Sequence, residues 1–364
     1  MQKLTICLLL ALLLTVSAGA VNITQEEQKI LGIDTLKDGL TTEAKEQMET
    51  VSPAGGTDFG KEALRLFYRA ISGSESTVRT AIRSCTLMIG AAILCAAVGQ
   101  VGTGTAGRAA GLAGTLAITA VCAGDIRSMM GLAGQALDEV GEFMKLLMPV
   151  MTSCLAASGG AVTGGALYTG SMLFLNILSA VIRNLIQPLV LAGAALSAAE
   201  AAAPEANLDR MRELIFWAAG VLLKGMMYLF TAYLTLTGLL SAPADAMALR
   251  TAKAALSGVL PVVGSIMSDA TETVLSSAGV IKAGVGVFGL LAVLAICLLP
   301  FLKLAVSYLS VRIAAAAGAG ACLPEHTKLM GNLSTAMGLM LSMVGCEGLM
   351  ALLAVSCFLQ VTPR

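Results

Sequence analysis

Charged residues are scarce in this chain of 364 residues: 13% are Asp, Glu, Lys or Arg, whereas 57% are hydrophobic. Soluble domains carry about 25% charged residues, and so few polar groups cannot cover the apolar surface of the chain. The mean hydropathy of +0.84 indicates instead that lipid is the solvent for most of the molecule. The composition therefore predicts an integral membrane protein whose first partner is the lipid bilayer.

Net charge and aromatic side chains are also low. The 23 basic residues balance the 23 acidic ones, so there is no positive excess with which to bind nucleic acid. Aromatic residues make up 4% of the chain, whereas it contains 39 glycines. Helices rich in small residues approach one another closely in a bilayer, where packing drives their association. We therefore predict an all-α, compact membrane bundle and no contact with nucleic acid.

Arrangements typical of enzymes and metal sites are missing from the sequence. The nine cysteines form no C-x-x-C pair and most lie in apolar runs, so we expect small buried side chains rather than ligands. The one histidine, His326, stands in no H-E-x-x-H motif, and the chain has no nucleophile elbow or complete phosphate loop. We expect no catalytic residue, cofactor or metal.

One glycine motif has the spacing of a nucleotide-binding loop. Gly102, Gly104 and Gly107 form G-x-G-x-x-G, which binds a pyrophosphate when it lies between a parallel strand and a helix. The run before it, residues 85–102, is apolar and long enough to cross a membrane. The motif is therefore interpreted as a tight turn between two membrane helices.

The N-terminus is typical of a secretory signal peptide. Residues 1–20 contain Lys3, an apolar core from Leu4 to Leu14, and Ala18-Gly19-Ala20 as an A-x-A cleavage site. We expect cleavage after Ala20, which leaves the mature N-terminus outside the cytoplasm. The alternative is an uncleaved anchor.

Residues 21–84 form the long polar part of the chain and are predicted to be an extracytoplasmic helical segment. Apolar residues recur at helical spacing between Phe59 and Ile71, whereas Lys61, Arg65 and Arg69 share another face. Such an amphipathic helix lies on a membrane, docks a partner or packs on its own protein. The stripe alone does not decide among the three.

Residues 85–364 are predicted to form the multi-span membrane domain. Seven apolar segments each approach the ~20 residues needed to cross a bilayer. They are residues 85–102, 108–124, 162–182, 185–203, 214–240, 284–309 and 334–359. We predict a polytopic bundle of about seven transmembrane helices, with polar loops such as 125–145 and a cytoplasmic C-terminus.

Glycines four residues apart predict close helix crossings at two pairs, Gly107 with Gly111 and Gly160 with Gly164.

Ionisable residues within the predicted spans are a further clue, and the candidates are Lys224, Lys303 and Glu347. Such groups are costly in lipid and usually face a cavity, a partner or the membrane surface. The two lysines can reach the surface with their long apolar stems. The shorter Glu347 cannot, so it is predicted to make an internal polar contact or to line a pore.

Residues 241–283 have the pattern of two amphipathic helices broken at Pro261. The proline removes a backbone donor and disfavours helical geometry at the residue before it. The pair is either a re-entrant element lining an aqueous path or a hairpin at the membrane surface. The candidate pore-lining or assembly residues are Arg250, Lys253, Pro261, Gly264, Ser265, Asp269, Glu272, Lys282 and, outside the pair, Glu347.

The stretch ADAMALRTAKAALSGVLPVVGSIMSDATETVLSSAGVIKAGVGVFGL, with LLMPVMTSCLAASGG at 146–160, resembles the stage III sporulation protein AE family of endospore-forming bacteria. The resemblance is most specific around Arg250, Lys253, Pro261, Gly264, Asp269 and Lys282. It implies a non-enzymatic, multi-pass component of the assembly linking mother cell and forespore, in the membrane around the forespore. That assembly looks like a secretion or feeding channel with other membrane subunits and a separate ATPase. We also expect the chain to form an oligomer.

Two other functions are compatible with the residues. A secondary transporter would use Lys224, Glu347 and the break at Pro261 as a midplane site. Transporters often carry paired repeats of broken helices, and the sequence shows one such break. A structural anchor would position partners without forming a path.

Overall fold

The computed structural model describes residues 33–48, 59–101, 105–203, 208–259, 264–320 and 322–360, and every regular element in these ranges is a helix. The predicted signal peptide, residues 1–20, lies outside them. The N-terminal arm contributes three helices: α1 (Ile33–Asp38), α2 (Thr42–Gln47) and α3 (Phe59–Gly73). The all-α prediction is confirmed for the described part of the chain.

Six long helical runs follow the arm. They are α4 (Glu75–Val101), α5 (Thr105–Ala157), α6 (Ala161–Val181) continued through a π-helical turn (Ile182–Ile186) into α7 (Gln187–Ala202), α8 (Asp209–Val259), α9 (Gly264–Gly318) and α10 (Pro324–Gln360). Each run contains a stretch that is long and apolar enough to cross a membrane. The protein is therefore a polytopic membrane helix bundle.

The structure has six candidate spans among its described residues where the sequence predicted about seven. Segments 162–182 and 185–203 belong to one candidate span, Ala161–Ala202. Arg183 and Asn184 separate the two apolar segments, but two polar residues do not end a helix. The π-helical turn shifts the hydrogen-bond register just before Pro188, so the chain continues as a helix where a proline would otherwise break it.

The predicted polar loop at 125–145 is also helical. It lies within α5, which is 53 residues long and so extends about 80 Å. Its buried apolar residues recur every three or four positions: Ile126, Met129, Ala133, Ala136, Leu137 and Val140. The polar residues of this stretch therefore belong to the outer face of an amphipathic helix. A loop was predicted because average hydropathy is low wherever half of a helix is polar.

Helices α9 and α10 form the centre of the bundle. Their most apolar stretches are 72% and 61% buried, whereas those of the other four candidate spans are 22–33% buried. The surrounding helices expose large apolar side chains, as at Leu94, Leu116, Trp217 and Leu229. An apolar outer surface of this kind is suited to contact with lipid.

Glycines bring the helices into their closest contacts. A side chain at Gly170 of α6 would collide with the ring of Tyr233 on α8, and one at Gly193 of α7 would collide with Phe216. The predicted pairs have different surroundings. A Cβ at Gly160 would lie 2.7 Å from Leu155 Cδ1, at the turn between α5 and α6, whereas a Cβ at Gly111 would make an ordinary contact at 3.8 Å.

Two of the predicted packing glycines have looser surroundings. A Cβ at Gly164 would lie 3.5 Å from Leu155 and Thr152, which is ordinary contact. Gly107 lies in α5 and is half-buried. The tightest crossings are therefore at glycines that four-residue spacing did not select.

Candidate functional site

The predicted break at Pro261 falls between helices α8 and α9. Helix α8 ends at Val259 and α9 begins at Gly264, and Pro261 itself lies outside the described residues. The predicted pair 241–283 therefore corresponds to the end of α8 and the start of α9, which are 51 and 55 residues long. The two ends are parts of long membrane helices, not a separate short pair.

Five of the predicted pore-lining residues lie on these helix ends, namely Arg250, Lys253, Ser265, Asp269 and Glu272. Their backbone is helical, but their side chains are outside the described part of the structure. Their roles stay predictions. Lys282 is described: it is buried on α9, close enough to the Cys154 thiol of α5 for an electrostatic interaction.

Glu347 lies inside the bundle, on α10. Its side chain is 1% exposed, and its Oε1 accepts a hydrogen bond of 2.9 Å from Ser179 Oγ on α6. Its second oxygen, Oε2, is buried and has no hydrogen-bond partner in the described chain. Burying a polar group without a hydrogen bond is costly, so such an atom calls for a functional or structural explanation. The geometry corresponds to the internal polar contact expected from the sequence.

A polar cavity of about 80 Å³ lies between the arm and the middle of the bundle. Helix α2 forms one wall of the cavity. Its polar lining comes from three helices: Glu43 and Gln47 of α2, Gln135 and Glu139 of α5, and Lys303 of α9. The volume is sufficient for several water molecules. Lys303 therefore faces a polar cavity within the protein.

Pro300 shapes this cavity from α9. A proline inside a helix has no N–H, so the carbonyl of Ile296, four residues earlier, loses its helical donor. Both residues line the cavity.

The other lysine predicted to lie within a span, Lys224, is exposed on α8.

A buried ion pair joins three helices at one end of the bundle. Arg212 Nε of α8 lies 3.1 Å from Glu200 Oε2 of α7, and both side chains are less than a tenth exposed. Lys328 of α10 also contacts Glu200. Glu200 lies near the end of the predicted span 185–203, and Arg212 lies just before the predicted span 214–240, so neither residue stands out in the sequence. The signal that would have found them is the presence of opposite charges at the ends of apolar segments that are neighbours in the chain.

Asp245 of α8 caps the start of α6. Its two carboxylate oxygens accept hydrogen bonds from the backbone N–H groups of Val162, at 2.8 Å, and Thr163, at 3.1 Å. The first N–H groups of a helix have no partner within it, and Gly160, at the cap position, has no side chain to offer. A carboxylate also suits the positive end of the helix dipole. This contact ties the end of α8 to the α5–α6 turn.

His326 contacts α5 from the first turn of α10. It is fully buried, and its Nε2 lies 2.9 Å from the carbonyl oxygen of Gly111. Gly114 gives it room, because a Cβ there would collide with the imidazole ring. Among the described residues, no three His, Cys, Asp or Glu side chains are grouped so that they could hold a metal ion.

The first two glycines of the G-x-G-x-x-G motif lie between α4 and α5 in the chain, and the third, Gly107, lies within α5. Helix α4 ends at Val101 and α5 begins at Thr105, whereas Gly102 and Gly104 lie outside the described residues. The element before the motif is therefore a helix, whereas a dinucleotide-binding loop follows a strand.

Comparison with known proteins gives one family and one curated relative. The family model described as Stage III sporulation protein AE matches residues 57–362. Stage III sporulation protein AE of Bacillus subtilis (strain 168) is 28% identical over 171 residues, which are 47% of this chain and 43% of that protein. The matched part thus spans less than half the length of that relative. No solved structure matches the chain.

Proposed function

The chain belongs to the stage III sporulation protein AE family, and from this premise we propose that it is a non-enzymatic subunit of the channel- or secretion-like complex between mother cell and forespore. A role in sporulation follows from the family, and the six candidate spans make the protein a multi-pass membrane protein. The observation that carries the proposal is the family match over residues 57–362, which includes α3 and every helix of the bundle.

The described contacts of the buried polar groups support a structural function. Glu347 joins α10 to α6, Glu200 and Arg212 join α7 to α8, and Asp245 joins α8 to α6. Each of these contacts connects two helices, and those of Glu347 and Asp245 connect helices that are distant along the chain. Interactions of this kind hold a bundle in one arrangement, which a subunit of a larger membrane assembly requires.

We place the protein in the mother cell membrane around the forespore, with the N-terminal arm outside the cytoplasm after signal cleavage. Its proposed partners are further copies of itself, other membrane subunits of the complex and the ATPase. The proposed path or assembly surface includes Arg250, Lys253, Asp269 and Glu272, near the break between α8 and α9.

The transporter alternative gains no support from the described contacts. It requires Lys224 and Glu347 to share a midplane site, but Lys224 is exposed on α8 whereas Glu347 is buried against Ser179.

Affinity capture tests membership of the complex. A tagged copy, purified in mild detergent from cells in engulfment, is expected to retain other stage III membrane proteins and a cytoplasmic ATPase, at least tenfold above an equally tagged unrelated membrane protein. Mass spectrometry measures this enrichment. The proposal fails if the tagged copy supports normal spore yield and yet purifies without any of these proteins.

Cysteine labelling distinguishes a channel subunit from an anchor. Single cysteines replace Ser265, Asp269 or Glu272 in a chain whose own cysteines are substituted, and the intact complex is treated with a water-soluble maleimide. We expect at least fivefold faster labelling there than at Leu94 and Leu116, two exposed apolar positions of the bundle. Equal protection of all five positions would identify a packed anchor.

A further inference from the structure

Helix α3 has an apolar face that is exposed in the described part of the protein. Leu66 and Ala70 are buried, and α3 packs on α9, where Gly73 approaches Leu299. A second apolar stripe points away from the bundle, with i, i+3, i+4 and i+7 spacing. Its members and their exposed fractions are Leu64 61%, Phe67 43%, Tyr68 70% and Ile71 48%. Four large apolar side chains in one exposed row are unusual on a surface that meets water.

The polar flank of α3 has a basic character. At 100° per residue, Lys61 and Arg65 lie beside the stripe, between it and the buried Leu66. Both are exposed, and Arg65 pairs with Glu62 at 3.7 Å. A helix with an apolar stripe that includes aromatic rings and a basic flank has the composition of helices that lie in the plane of a membrane surface.

The position of α3 along the chain places it at a membrane surface. Ser74 alone separates α3 from α4, whose candidate span is 24 residues, Glu75–Val98, or about 36 Å. That length fits one bilayer crossing. Arg79 and Arg83 are exposed in its first turns, and beyond them the helix exposes Leu87 and Leu94. The head-group layer therefore lies at the start of α4, at the level where α3 ends.

From these observations we infer that the stripe of Leu64, Phe67, Tyr68 and Ile71 rests in the head-group and upper acyl-chain layer of the bilayer. The aromatic rings suit this boundary, where an apolar body meets water. The basic residues of α3 and of the first turns of α4 face phosphates. The helix sets the depth of the bundle in the membrane.

Fluorescence quenching by lipid tests this inference in the full-length protein. Trp217 is the one tryptophan of the chain, so Trp217→Phe provides a background without tryptophan. Phe67→Trp then reports on the stripe in vesicles of phosphatidylethanolamine and phosphatidylglycerol with chains brominated at carbons 6 and 7. We expect at least threefold stronger quenching than for Arg65→Trp, the matched control on the basic flank of the same helix.

A second reporter, Tyr68→Trp, keeps the test decisive if the Phe67 variant does not fold. It is expected to be quenched like Phe67→Trp. Quenching of the two stripe reporters no stronger than that of Arg65→Trp would overturn the inference, because the stripe would then face water or another protein. The result does not depend on sporulation partners, so it can fail while the proposed function stands.

Discussion

Replacing Arg212 with methionine is expected to destabilise the bundle by about 3–5 kcal/mol, the range for removing one partner of a buried ion pair. Glu200 would keep Lys328, but the side chain of Lys328 is 56% exposed, whereas that of Arg212 is 8% exposed. Exposed lysines are screened by water and compensate a buried carboxylate poorly. Thermal unfolding of the purified protein in detergent measures the loss.

The matched control is Arg210→Met, which removes an exposed arginine two residues earlier and is expected to change stability by less than about 0.5 kcal/mol. The double substitution Arg212→Met with Glu200→Leu is expected to recover most of the loss, because no unpaired charge stays buried. If Arg212→Met and Arg210→Met unfold at the same temperature, the ion pair does not hold α7 to α8.

Replacing Gly170 with valine is expected to destabilise the contact between α6 and α8 by about 2–4 kcal/mol. A side chain at this position collides with the ring of Tyr233, and overpacking of this kind costs about 1–3 kcal/mol. The displaced ring would also lose the hydrogen bond of 2.7 Å that Tyr233 Oη donates to the Ala166 carbonyl, which adds about 1 kcal/mol. Thermal unfolding and the yield of monodisperse protein measure the effect.

Gly165 provides the control for this substitution on the same helix. A Cβ built there has no atom within 4 Å, so Gly165→Val introduces the same residue without a collision. We expect Gly165→Val to unfold close to the wild-type temperature and Gly170→Val to unfold far below it. Equal behaviour of the two variants would show that α6 and α8 do not meet at Gly170.

The fold class was predictable because the composition alone indicates that lipid surrounds most of the chain. A chain with 13% charged residues has too few polar groups to cover its apolar surface in water, which indicates a membrane protein. The six candidate spans agree with that conclusion. The number of spans was harder to predict. A hydropathy pattern records where apolar residues lie, but a polar pair such as Arg183 and Asn184 looks alike in a loop and on the exposed side of a continuous helix. The backbone decides between them.

Glu347 was predictable for the same physical reason, since a short carboxylate within an apolar segment must find a partner inside the protein. Its partner was not predictable. Ser179 is 168 positions away in the chain, and it meets Glu347 because α6 packs beside α10. The cap on α6 is similar, because Asp245 comes from a helix more than 80 residues later.

The local sequence thus determines whether each segment is suited to lipid or to water, where helices form, and which polar groups require an interaction partner. These properties depend on each side chain and its near neighbours in the chain, so they can be predicted from the sequence. Which helix provides the interaction partner depends on packing between surfaces that are far apart in the chain. The contacts of Ser179 with Glu347, of Gly170 with Tyr233 and of Asp245 with the start of α6 all arise at that level. Steric fit between whole helices selects this one arrangement from the many that the composition allows.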